Sequence, residues 1–135
     1  MIRYLLDTNI CIYIIKQHPK QVIEHLRTLL VGDVAISAIT LAELEYGAAK
    51  SSRPEQNREA LIAFTAPLEV LPFDDNASLH YGEIRADLER SGMVIGAMDM
   101  LIAAHARSRS LKLVTNNSRE FQRIHGLDIE NWVKK

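Results

Sequence analysis

The sequence predicts an α/β fold built on a parallel sheet covered by helices on both faces. Three observations carry this. Five short apolar runs each stop at polar or turn-forming residues. Amphipathic windows of helical period stand between most of them. No repeat, low-complexity tract or Gly/Ser/Pro-rich linker divides the 135 residues, so residues 1–135 read as one domain.

In chain order, Ile2–Leu6 is a strand cut off by Asp7-Thr8-Asn9. Ile10–Ile15 is ambiguous: its β-branched content favours a strand, yet wound as a helix it would be apolar on nearly every side. Val34–Ile36 is a strand ended by Ser37. Leu41–Lys50 places Leu41, Leu44 and Ala48 at helical spacing. Pro54 suits the first turn of a second helix running to Phe64. Val70-Leu71 is a strand stopped by Pro72. Asn76–Arg90 carries Leu79, Ile84 and Leu88 before Gly92, a helix stop. Met98–Arg109 is helical, Leu111–Val114 a strand, and Leu127–Ile129 the last one. In such sheets functional residues gather beyond the carboxyl ends of the strands.

Composition narrows the function. Lys and Arg total 16 against 17 Asp and Glu, a net charge of −1, so nucleic acid could be drawn only by a local patch. The single cysteine, Cys11, excludes an intrachain disulfide and any multi-cysteine zinc site. No uncharged apolar stretch reaches the roughly 20 residues of a membrane span, and the opening lacks a signal-peptide pattern. A cytoplasmic protein with no membrane partner is the expectation.

Five acids stand where chemistry is possible, two of them as alternatives on one helix. Asp7 follows the first strand; Thr8 or Asn9 could cap the next segment and leave Asp7 free. Asp99 interrupts the apolar stretch 93–104, where an unpaired carboxylate is costly to bury. Glu43 and Glu45 share one helix, and periodicity does not choose between them. Glu120 follows Thr115-Asn116-Asn117 after the fourth strand. At one sheet edge these carboxylates would repel and raise one another's pKa. A divalent cation removes that penalty, and oxygen donors without a Cys/His cluster suit Mg²⁺ or Mn²⁺.

At these residues the chain resembles PIN-domain ribonucleases, and more closely the VapC toxins of toxin–antitoxin pairs. The resemblance runs through Met1–Ile12, Ser37-x-x-Thr40-x-x-Glu43-Leu44-x-x-Gly47, Ile95–Arg109 around Asp99, Thr115–Phe121 and Asp128–Val133. It implies a three-layer α/β/α sandwich with a short central sheet and Mg²⁺- or Mn²⁺-dependent hydrolysis of RNA to 5′-phosphate and 3′-hydroxyl ends. It selects Asp7, Glu43 and Asp99 as the acidic core, with Asp7 and Asp99 as metal ligands. The same resemblance implies that Glu120 is the fourth catalytic acid, or an outer-shell one. Thr8, Asn9, Thr115 and Asn117 form a supporting shell, Asn117 standing where some relatives carry an acid. A haloacid-dehalogenase-type phosphatase would instead need a second acid two residues after Asp7, where Asn9 stands.

An acidic cleft repels RNA, so a counterweight is needed. Between His105 and His125 lie Arg107, Arg109, Lys112, Arg119 and Arg123 against Glu120 alone. From this segment Arg107, Arg109 and Arg119 are expected to track the RNA backbone. The resemblance further implies a structured RNA substrate, with the anticodon loop of initiator tRNA leading. It also implies a VapB-type antitoxin on an apolar groove around Ile10–Ile15, Leu41 and Leu44, and a homodimer.

Overall fold

The apolar runs become very short strands, and the longest, β2, has four residues. The computed structural model describes residues 1–133, so the last two residues of the expected domain lie outside the described ones. In chain order the elements are β1 (Tyr4–Leu6), α1 (Thr8–Lys16), α2 (Lys20–Arg27), a 3₁₀ turn (Val31–Asp33), β2 (Val34–Ser37), α3 (Ala38–Lys50) and α4 (Pro54–Thr65). Then follow β3 (Glu69–Leu71), α5 (Asp75–Ser91), α6 (Ala97–Ser108), β4 (Lys112–Val114), α7 (Ser118–Phe121) and β5 (Ile129–Glu130).

All strand pairs are parallel, in the order β3-β2-β1-β4-β5. Side-chain alternation along the strands divides the interior in two. Leu5, Ala35 and Leu113 point into a cluster with Ile84 and Leu88 of α5, Met100 and Ile102 of α6, and Phe121 of α7. Tyr4, Leu6, Val34, Ile36 and Val114 point into the opposite cluster, with Ile10 and Cys11 of α1, Val22 of α2, Leu44 of α3 and Leu61 of α4. The sheet is thus the middle layer of an α/β/α sandwich. Its order reverses beside β1, between β1 and β4. The carboxyl ends there leave a crevice, the usual place for a ligand in an open α/β sheet.

Two expectations need correcting. Ile10–Ile15 is helical, not a strand. The Asp7 side chain accepts from the backbone N–H of Ile10 at 2.9 Å and caps the helix, while Ile10 and Cys11 are sealed into the core. Tertiary packing outweighs the modest β preference of the isoleucines. The helix α2 was not expected from the sequence. It has a Pro19 N-cap with no side-chain bond and buries only Val22. Elsewhere the punctuation works as read: Pro54 occupies the first turn of α4, and Gly92 closes α5 with φ of 70°.

Candidate active site

The site is assembled by the ends of elements. Asp7 leaves β1 and is held as its backbone N–H donates to the Val114 carbonyl of β4. From there its side chain caps α1. The expectation that Thr8 or Asn9 would relieve it of capping was wrong: both lie within α1, and Asn9 is exposed. Capping does not consume Asp7, because an ionised carboxylate offers about four acceptor positions. One Oδ1 contact goes to Ile10, and the Thr115 hydroxyl supplies another hydrogen bond.

Asp7 is only 4% exposed. Its pKa is pushed up to about 6, first by burial, then by the charges of Asp99 and Glu43; the hydrogen bonds from Thr115 and Ile10 oppose the rise. Asp99, half-buried in the first turn of α6, is also raised, by burial, then by Glu43 and Glu120. Asp7, just after β1, thus feels Asp99 of α6 and Glu43 of α3, and Asp99 feels Glu43 and Glu120 of α7.

Each of the other two acids is held by a side-chain donor. Glu43 accepts from the Thr8 hydroxyl, which also contacts the Thr40 hydroxyl at 3.4 Å. Glu120 Oε1 accepts from Asn117 Nδ2 at 2.6 Å. The Thr115 hydroxyl accepts the Asn117 backbone N–H at 2.9 Å, joining the Asp7 and Glu120 sides of the crevice. The alternative acid, Glu45, is drawn elsewhere, into an ion pair with Arg58 of α4 at 3.0 Å.

Two buried residues outside the expected set join the helices that carry Glu43 and Asp99. Ser37 caps α3 through the N–H of Ile39. Its Oγ lies 2.7 Å from His105 Nδ1 of α6, and Phe73 meets the imidazole edge to face. No spacing in the sequence ties Ser37 to His105; only the packing of α6 under β2 does.

The basic track is narrower than expected. Arg107 is committed elsewhere: its guanidinium donates to His80 Nδ1 (2.8 Å), to the His125 carbonyl (2.9 Å) and to Glu83 (2.9 Å). Lys112 pairs with Glu130 at 3.6 Å. Arg109 is exposed at the far end of α6 from Asp99. Arg119 is exposed on α7, next to Glu120 in the chain, and Lys16 lines a groove together with Glu43.

Among the described residues no three His, Cys, Asp or Glu side chains form a preformed metal cage. Mg²⁺ does not require one, since it keeps several waters and is commonly held by one or two carboxylates. The donors fit such an ion: they are all hard oxygens, and burial first, then the charges of Asp99 and Glu43, make a bare negative charge on Asp7 unfavourable.

The PIN-domain family model matches residues 4–127. The chain is 48% identical over 132 residues to the tRNA(fMet)-specific endonuclease VapC of Shigella flexneri, an alignment covering 98% of this chain and 99% of that relative. It is 47% identical over 132 residues to ribonuclease VapC2 of Rickettsia felis, covering 97% and 98% of the two. Its structure superposes on DNA-bound VapBC of Salmonella typhimurium with a TM-score of 0.93 at 48% identity, over 98% of this chain and 99% of that one. The similarity spans every element that carries Asp7, Glu43, Asp99 and Glu120, and the chain belongs to the PIN-domain family and, within it, to the VapC group.

Proposed function

We propose that this protein is a Mg²⁺- or Mn²⁺-dependent endoribonuclease that acts as the toxin of a toxin–antitoxin pair and cleaves a structured RNA, with the anticodon loop of initiator tRNA as first candidate. The observation that carries the reading is the buried Asp7, raised to about 6 by burial and by Asp99 and Glu43 arriving from two other helices. Such a concentration of negative charge is unfavourable in the resting fold and useful only toward a cation. The names of the Shigella and Rickettsia relatives support the RNA substrate.

Asp7 and Asp99 would hold the ion, with Glu43 and Glu120 beside them. The bound ion would supply Lewis-acid charge that lowers the pKa of water and offsets charge on the phosphodiester. The chain's own residues do the positioning. Ile10 N–H and the Thr115 hydroxyl fix the rotamer of Asp7. Thr8 aims Glu43, and Asn117 aims Glu120. The Asn117 amide therefore serves as a donor where some relatives carry an acid. Glu43, half-exposed, would accept a proton from an attacking water. Arg119 offers a cation to a substrate phosphate.

An apolar groove lined by Ile12, Ile15, Leu44, Ala48, Ala60 and Leu61 opens beside Glu43. It suits an amphipathic segment of a VapB-type antitoxin, which from there reaches the acids. Homodimerisation belongs to the same reading and is checked by sedimentation. No helix among the described residues is long and apolar enough to cross a membrane.

The deciding experiment incubates protein freed of antitoxin with total tRNA, with Mg²⁺ or with chelator, and sequences the RNA ends. Cuts at one loop position with 5′-phosphate ends, absent with chelator, are expected. Intact RNA under all conditions overturns the reading.

A further inference from the structure

Asn116 takes no part in the acidic site, yet both its neighbours do. Thr115 binds Asp7 and Asn117 binds Glu120. The backbone on either side is fixed, since Thr115 N–H donates to the Glu130 carbonyl at 3.0 Å and Asn117 N–H to the Thr115 hydroxyl at 2.9 Å. Asn116 thus projects, exposed, from a clamped loop at the rim of the crevice.

Its amide is oriented by two contacts. Nδ2 donates to the Tyr13 hydroxyl of α1 at 3.3 Å, and Oδ1 accepts from Asn131 Nδ2 at 3.3 Å. Asn131 is itself set by the Val133 N–H, which donates to its Oδ1 at 2.8 Å. Each group keeps unused capacity: an N–H on either amide, a lone pair on Asn116 Oδ1, and the Tyr13 hydroxyl proton. The result is a row of donors and acceptors with directions set in advance.

A second feature adjoins this row. Asn131 lines a cleft of about 940 Å³ together with Ser118, His25, Trp132, Glu24 and Glu130, and Asn116 stands one hydrogen bond outside that lining. The imidazole of His25 stacks on the indole, with ring centroids 4.4 Å apart and planes 11° apart. Trp132 is buried and His25 is half-exposed, so the stack ends at the cleft in a supported aromatic ring. An aromatic surface beside an oriented amide edge matches what an unstacked RNA base needs, a face to stack on and partners for its polar rim.

We infer that this cleft is a base-recognition pocket, which holds one unpaired nucleobase of the RNA cut at the acids and reads its edge with Asn116 and Asn131. This rests on the ribonuclease reading above and adds the source of its sequence preference. A solvated loop clamp would account for the amide contacts, but it would not place them beside a supported aromatic stack.

The test uses RNA hairpins in which each loop position carries each of the four bases in turn. The quantity read is the ratio of kcat/KM between bases at one position, measured within a single protein preparation, so any loss of folded protein cancels. Wild type is expected to discriminate by about tenfold or more at one position near the cut. The double variant Asn116→Ala, Asn131→Ala should reduce that ratio to within about threefold, and Tyr13→Phe should reduce it partly. A 2-aminopurine placed at that position should be quenched on binding to Asp99→Asn protein, and His25→Leu in that background should remove the quenching. Unchanged discrimination in the double variant, or equal losses on all four bases, overturns the pocket while leaving the ribonuclease reading intact. Failure of wild type to cut any hairpin or tRNA overturns both.

Discussion

Replacing Asp7 with Asn isolates the electrostatic tension of the site. The carboxyl moves from its ordinary 3.8 to about 6 on folding. At about 1.4 kcal/mol for each tenfold change in proton affinity, this corresponds to roughly 3 kcal/mol. The sign follows from proton counting. Between 3.8 and about 6 the folded protein keeps a proton on Asp7 that the unfolded chain has released. Stability therefore falls as pH rises through this window and levels off above it. The substituted amide carries no charge, and its carbonyl oxygen can still accept from Ile10 and cap α1. Losing one hydrogen bond, such as that from Thr115, costs about 1 kcal/mol. In metal-free buffer the Asp7→Asn protein should then be more stable than wild type by about 2 kcal/mol near pH 8, and equal or slightly less stable near pH 3.5. Urea denaturation at both pH values, with chelator present, measures the two gaps. Their difference, about 3 kcal/mol, does not depend on the lost hydrogen bond. A gap that stays the same at both pH values would refute the claim that the folded site, through burial first and the charges of Asp99 and Glu43 second, penalises a charge on Asp7.

Three further outcomes are expected. Asp99→Asn should abolish RNA cleavage yet leave the metal-free melting temperature unchanged or raised, because one repelling charge is gone; calorimetry and gel assays on the same sample decide, and extensive unfolding would make Asp99 structural. Arg119→Ala should weaken RNA binding and flatten the log–log salt dependence by about one phosphate contact, whereas Arg107→Ala should leave the salt slope alone and cost about 2 kcal/mol of stability through its lost bonds to His80, Glu83 and His125. Ile15→Glu places a charge in the apolar groove and should release cleavage from inhibition by the antitoxin, read by titrating antitoxin against a fixed amount of toxin.

The layered fold was legible because its strands are extreme. Val34–Ile36 and Leu113-Val114 are apolar at consecutive positions and so are buried on both faces, which a parallel sheet covered by helices on both sides allows. Register and helix punctuation follow from single residues such as Pro54 and Gly92. The isoleucines after Asp7 mislead for a physical reason. Local β preference is worth a fraction of what is gained when Ile10 and Cys11 enter the core, and the cap that starts the helix is Asp7 itself, a residue whose pattern points to chemistry. One side chain performs both tasks because a carboxylate has acceptor positions to spare. The helix α2 was invisible because Lys20–Arg27 buries one side chain and has no side-chain cap.

The site divides along a similar line. Resemblance selected Glu43 over Glu45 where helical spacing was silent. The structure gives the physical ground: Arg58 of α4 pairs with Glu45, while Glu43 accepts from the Thr8 hydroxyl and adds its charge to the field at Asp7 and Asp99. Counting charges along the segment 105–125 was less informative, because a formal charge says nothing of how it is spent. Arg107 and Lys112 are consumed by partners from α5 and β5 that lie far away in the sequence. Near the acids stand Arg119, next to Glu120 in α7, and Lys16, which lines the same groove as Glu43: two cations against four carboxylates. Such a site cannot attract a polyanion by charge alone. If the protein is the nuclease proposed, the divalent ion must do more than assist the reaction. It must first reverse the sign of the field that the substrate meets. RNA binding by the intact wild-type site should therefore depend on the ion, and binding by a variant with its acids neutralised should not.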